Sequence, residues 1–265
     1  MSRIETLARA GYTAKGVVYA IIGVLAVEAA LYGGKTVGAR GALQEMAQEP
    51  FARILLGLTA LGLFGYGLWR LIQAGLDKDH EGEDAKGLGK RLGQAVSGLV
   101  HWTLAAYAAY LAIIVPAGGG QGGPGGQGGQ TSSEGLTAWL MSQDFGTLLV
   151  TLVGAAIFIA GISKIMEGWR GSYKSELMPE PHVRKLYPVC SAGIIARGVV
   201  FLIIGGFVAY AGITANPHES GGLAQALTWL RQQAYGTWLL LGVALGLVGY
   251  AIYSFIQARY RMINA

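Results

Sequence analysis

The sequence predicts an all-α integral membrane protein: six transmembrane helices built as three tandem helical hairpins, pseudo-threefold about the membrane normal. Three observations predict it. Six apolar stretches are long enough to cross a bilayer, whose hydrocarbon core of about 30 Å takes about 20 helical residues. Only 13% of the 265 residues are charged and 52% are apolar, whereas an ordinary soluble domain is about 25% charged. So little charge cannot cover a water-facing surface. Finally, the first pair of apolar stretches recurs in the last pair. The same composition excludes a disordered chain, which needs low hydrophobicity and high net charge. The 43 glycines follow no three-residue collagen period.

The spans run over 13–33, 51–75, 92–115, 146–168, 192–214 and 236–258. Length identifies them, because a lipid-facing helix packed on neighbours is apolar all round and shows little periodicity. A barrel strand would alternate apolar and polar residues; LLVTLVGAAIFIAGI does not. The first span lacks a small-residue cleavage site followed by a polar chain, so it reads as uncleaved.

Basic residues orient the spans, since Lys and Arg concentrate on the cytoplasmic side. With the N-terminus inside, 16 of the 20 basic residues fall at inner span ends or inner loops. Lys35, Arg40, Arg53 and Arg231 remain outside. This predicts a multi-pass protein of a bacterial plasma membrane with both termini cytoplasmic. It also accounts for the net charge of +5 without nucleic acid, for which no compact basic patch exists. The expected partner is the lipid bilayer, with another membrane protein as a candidate second one.

Residues 10–23, AGYTAKGVVYAIIG, match 192–205, AGIIARGVVFLIIG, at nine of fourteen positions. Residues 60–74, ALGLFGYGLWRLIQA, match 244–258, ALGLVGYAIYSFIQA, at nine of fifteen. The middle pair is a diverged copy: LGQAVSGLVHWTLA over 92–105 keeps Gly93, Gly98 and Val100. Each unit then carries an outer loop, a short amphipathic helix, an aromatic residue (Phe51, Phe145 or Tyr235) and a returning span. Such short helices lie in the membrane interface or cap the bundle. Units of two spans all keep one orientation, so the axis relating them runs along the membrane normal. The units are 1–76, 92–170 and 191–265, joined by inner linkers 77–91 and 171–190.

The repeated A-R/K-G-V-V-Y/F-x-x-I-G, followed by a G-L-x-G-Y return helix, resembles the bacterial membrane proteins grouped as domain of unknown function family 1206. The resemblance covers nearly the whole chain and implies tandem two-span units, usually three. It implies no activity. The middle unit departs from the pattern, with Ser97 at the position of Lys15 and Arg197, and His101 at that of Tyr19 and Phe201.

No catalytic constellation is present: no H-E-x-x-H, G-x-S-x-G or phosphate-binding loop, and a single cysteine, Cys190. The chain is expected not to be an enzyme, and no cofactor or metal is expected. The acidic run Asp77, Asp79, His80, Glu81, Glu83 and Asp84 lacks the glycine and the twelfth-position Glu of a calcium loop. The stretch 118–130, with nine glycines, reads as a flexible outer spacer.

Ionisable groups inside spans are the candidate contacts, because desolvation makes them costly. Lys15 and Arg197 stand at equivalent positions in the first turn or so of their spans. They read as snorkelling to the inner headgroups, or as a basic vestibule on the central axis. Glu28 reads as interfacial, and His101, nearest the midplane, as a paired neutral ring or a ligand contact. Tyr66, Tyr250, Gln73 and Gln257 are repeated polar groups suited to interhelical hydrogen bonds. Gly62, Gly65, Gly242, Gly246 and Gly249 read as helix-packing glycines, since missing side chains let backbones approach in lipid. The expected function is that of a non-catalytic structural or interaction module. The alternative is a small permeation or transport protein with its path on the central axis. An axis lined by Lys15, His101, Glu28 and Arg197 would favour the alternative.

Overall fold

The structure, a computed structural model, describes residues 3–77, 82, 84–114 and 130–262. The glycine-rich spacer up to residue 129 and most of the acidic run lie outside the described residues. All elements among the described residues are helical. The long helices are α1 (Arg3–Tyr32), α3 (Ala52–Leu76), α4 (Ala85–Ile114), α6 (Gly146–Arg170), α8 (Tyr187–Thr214) and α10 (Gly236–Tyr260). Each contains an apolar segment long enough to span a membrane. Short helices α2 (Ala39–Met46), α5 (Gln130–Met141), α7 (Pro181–Lys185) and α9 (Leu223–Gln232) lie in the connections. The chain is thus a multi-pass membrane protein with a bilayer around its apolar helices.

The six long helices follow one another in chain order around a ring. Helix α1 packs on α3, α3 on α4, α6 on α8, α8 on α10, and α10 returns to α1. Arg9 holds this last junction, donating from one guanidinium nitrogen to the carbonyls of Ala258 (2.8 Å) and Arg259 (2.5 Å). Only α4 and α6 lack a packed seam.

The seams between units repeat at residue level. Gly16 of α1 faces Phe255 of α10, Gly98 of α4 faces Leu71 of α3, and Gly198 of α8 faces Ile165 of α6. These are the same two positions of the repeat each time. Within units one and three the hairpin seams also correspond. Gly62 packs on Ala14 and Gly246 on Ala196; Gly11 lies on the Tyr66 backbone and Gly193 on that of Tyr250.

Unit two cannot copy those hairpin seams. Phe51, Phe145 and Tyr235 all precede their return helices in the left-handed conformation, with φ near 60°, and so fix the register. In that register Ala156 stands for Gly62 and Gly246, and Ile159 stands for Gly65 and Gly249. Val96 stands for Ala14 and Ala196. A methyl group at Gly62 would already lie 2.5 Å from the Ala14 Cβ, so the same close seam cannot form with the larger side chains. The expected threefold relation is not confirmed for the bundle as a whole. The between-unit seams share it, the middle hairpin does not, and a threefold axis is not established.

On the face carrying both termini, the linker over 171–186 docks beneath the bundle. Tyr173, Leu177 and Val183 are buried with Tyr250, Tyr253 and Ile256. Leu177 pairs with Arg261 as a single antiparallel bridge, and Arg261 meets Glu176 at 2.9 Å. Tyr173 donates its hydroxyl to the Tyr187 carbonyl at 2.8 Å, and burial pushes its phenol above the ordinary range. On the opposite face α2 and α9 fold over the ring. Thr36 donates to the Ala224 carbonyl at 2.9 Å, and Arg231 donates to the Gly34 carbonyl at 2.7 Å.

Candidate functional site

Inside the ring lies a cavity of about 200 Å³. Corresponding positions of the three units line it: Val18, Val100 and Val200; Tyr19, His101 and Phe201; and the cations Lys15 and Arg197. Ala39 of α2 and Leu223 of α9 line it toward the opposite face. Helix α6 contributes nothing to the lining.

Lys15 requires a correction to the snorkelling expectation. Helix α1 begins at Arg3, ten residues before the apolar stretch. Lys15 is therefore twelve residues along it, about 18 Å at 1.5 Å per residue. Arg197 is ten residues into α8, about 15 Å by the same rise. Neither stands in a first turn. Lys15 is only 4% exposed. Its ammonium lies over three tyrosine rings, 5.5 Å from the centroid of Tyr12, 5.1 Å from Tyr66 and 4.9 Å from Tyr250. The Arg197 guanidinium lies over Tyr19 at 5.6 Å, Phe201 at 4.8 Å and Tyr250 at 4.8 Å. Both cations share the Tyr250 ring, so they lie within about 10 Å of one another.

Aromatic faces attract cations through their quadrupole, contributing about 0.5–2 kcal/mol each. They do not neutralise charge. A buried cation ordinarily needs an anionic partner, because removing it from water costs several kcal/mol. Among the described ion pairs, Arg9–Glu5, Lys164–Glu167, His218–Glu134 and Arg261–Glu176, none involves Lys15 or Arg197. Glu167 adds a field at Arg197 from α6, but its carboxylate is held by Lys164 at 2.5 Å. Arg197 donates from one guanidinium nitrogen to the Tyr250 hydroxyl, and its buried Nε has no partner. A guanidinium carries five N–H donors and an ammonium three, so most of this donor capacity is unused.

His101 faces the same cavity. Its Nδ1 is 2.7 Å from the Ser97 carbonyl, which can only accept, so Nδ1 carries the hydrogen and Nε2 is free. Its ring lies 4.5 Å from that of Tyr66. Tyr66 and Tyr250 are buried and, with Tyr12, surround the Lys15 ammonium with their rings. Gln73 and Gln257 are buried elsewhere: Gln73 accepts from Arg70 at 3.0 Å, and Gln257 donates to the Tyr253 hydroxyl at 3.0 Å. Glu28 is exposed and takes no part in the lining. Tyr12, Tyr19 and Phe201 were not among the sequence candidates. Their signal was there, as aromatics three or four residues from Lys15 or Arg197, which puts them on the same helix face.

The packing glycines separate into two groups. Gly62, Gly65, Gly246 and Gly249 meet a neighbouring helix closely: Ala14, Leu7, Ala196 and Val189 respectively. Gly242 requires a correction. It is exposed, and a side chain there would meet nothing. Helices α8 and α10 touch at Gly193, Ala196, Gly246 and Gly249, while farther along α8 the small residues pack on α6. The helices have parted by the level of Gly242.

The profile of the family described as Domain of Unknown Function (DUF1206) matches three times, at residues 10–77, 92–171 and 192–261. The chain is also similar to the Uncharacterized protein YxxB of Bacillus subtilis (strain 168), with 31% identity over 262 residues. That alignment covers 97% of this chain and 91% of the relative. No solved structure matches. With three matches covering all six membrane helices, the chain belongs to the DUF1206 family.

Proposed function

We propose that this protein is a non-catalytic, multi-pass protein of a bacterial plasma membrane, with both termini cytoplasmic, that binds an anionic group in its intramembrane cavity. One observation carries the reading. Lys15 and Arg197 are buried side by side at membrane depth, face a shared cavity, and have aromatic faces around them but no carboxylate ion-paired with either. An anion there would accept charge-assisted hydrogen bonds from both cations. The tyrosines position the cations and keep water away, which strengthens the attraction. The absence of any catalytic motif supports binding without chemistry, and no nucleic acid or cofactor enters the reading.

Passage along the axis, the alternative from sequence, is less well supported. Buried Tyr12, Tyr66 and Tyr250 lie on one side of the cavity, and packed Ile22, Ala26, Leu43 and Leu227 on the other.

The test is thermal stability of the purified protein in a neutral detergent. Phosphate, sulfate and anionic phospholipid are compared with chloride and zwitterionic lipid. At least one polyvalent anion or anionic lipid should raise the midpoint in the wild type and lose that effect in Lys15→Gln/Arg197→Gln. Equal responses in both proteins, or no response to any anion, would overturn the reading.

A further inference from the structure

We infer that the anion is the headgroup of an anionic phospholipid, admitted sideways from the bilayer between α4 and α6; this rests on the anion-binding reading above. Toward the termini the cavity meets the buried layer of Tyr12, Tyr66 and Tyr250, with Arg261 beneath it, 5.5 Å over the Tyr12 ring. Toward the opposite face it meets the packed core under α2 and α9. Around the ring, five helix seams are closed by small residues at close contact. The sixth pair, α4 and α6, has no packed seam among the described residues.

The α4 side of that flank borders the cavity. Val100 of α4 lines the cavity and is also 50% exposed. The helices on either side turn apolar side chains outward, among them Val96 and Leu99 on α4 and Ile159 and Ile162 on α6. A free hydrated anion would have to shed its water to cross such a surface, at a cost of several kcal/mol. An acyl chain loses nothing there, because lipid tails are as apolar as the flank. The ligand must therefore be anionic at one end and apolar at the other. Charge complementarity selects its sign: the cavity presents Lys15 and Arg197, and none of its lining residues is acidic.

The divergence of unit two fits this role. Where its sisters have Lys15 or Arg197 it has Ser97, which leaves one side of the cavity free of a competing cation. Where they close a hairpin with Gly62 or Gly246 it has Ala156, exposed on α6 rather than packed on α4.

The experiment is native mass spectrometry of the full chain, released from nanodiscs holding equal phosphatidylglycerol and phosphatidylcholine. Detergent thermal stability with inorganic phosphate runs in parallel. The wild type should retain phosphatidylglycerol preferentially. Lys15→Gln/Arg197→Gln should lower that occupancy roughly tenfold or more, as loss of two charge-assisted bonds implies. Val96→Trp, which narrows the flank and spares both the cations and the cavity lining, should lower lipid occupancy. Phosphatidylglycerol retained equally by the cation variant would mean annular lipid only and would sink the inference. So would retention undiminished in Val96→Trp. A phosphate response that needs Lys15 and Arg197, without any retained lipid, would overturn the lipid inference and leave anion binding standing. No response to either would remove both.

Discussion

Gly246 and Gly242 lie one helical turn apart on α10 with the same chemistry, yet their surroundings are opposite. Gly246 is pressed on Ala196, and Gly242 faces open space. Gly246→Leu should lower the detergent unfolding midpoint by an amount equivalent to roughly 1–3 kcal/mol, the usual cost of overpacking. Gly62→Leu should do likewise against Ala14. Gly242→Leu should stay within about 0.5 kcal/mol of wild type, as surface changes do. A comparable loss at Gly242 would show that α8 stays beside α10 along its full length. Residue-scale legibility was uneven for the same reason. Glycine spacing reveals a face, but where two crossing helices separate depends on their angle, which spacing does not encode. Lys15 illustrates a second gap. Its depth depends on α1 beginning at Arg3, through a polar segment that hydropathy alone leaves outside the span.

At the scale of elements, the middle hairpin is the decisive departure. Its divergence was visible in Ser97 and His101, but its consequence needed register, which the three left-handed aromatics Phe51, Phe145 and Tyr235 supply. Register turns Ala156, Ile159 and Val96 into a statement about packing: bulk where the sister units have glycine or alanine. Val96→Ala/Ala156→Gly/Ile159→Gly should therefore let α4 and α6 approach as α1 and α3 do. Spin labels on exposed positions of α4 and α6 would report a shorter distance in the triple variant than in wild type. An unchanged distance would mean that something other than side-chain bulk separates them. The short helices were legible because their apolar residues recur on one face. The docking of the 171–186 linker was not, because Tyr173, Leu177 and Val183 are scattered among polar and proline residues and show no period.

For the whole molecule, span count and repeat organisation came through clearly, since length and self-similarity are both linear properties of a sequence. Orientation also follows from a linear count, the asymmetry of basic residues. It predicts that a cysteine replacing Lys35 will react with an impermeant maleimide added to intact cells, and that one replacing Glu180 will not, in a Cys190→Ala background. The reverse pattern would invert the topology. The cavity, by contrast, exists only once the helices are assembled. Lys15, His101 and Arg197 were each visible as ionisable groups within spans, but their convergence, and the exclusion of Glu28 from it, arise from the ring. The central claim is that two buried cations hold an anion inside the membrane. Its most direct test is an experimental structure of the protein in nanodiscs prepared with phosphatidylglycerol, at a resolution that shows headgroups. The account predicts phosphate density within hydrogen-bonding reach of both the Lys15 ammonium and the Arg197 guanidinium, with acyl density leaving between α4 and α6. Cations instead paired with a protein carboxylate, around a cavity without such density, would contradict it.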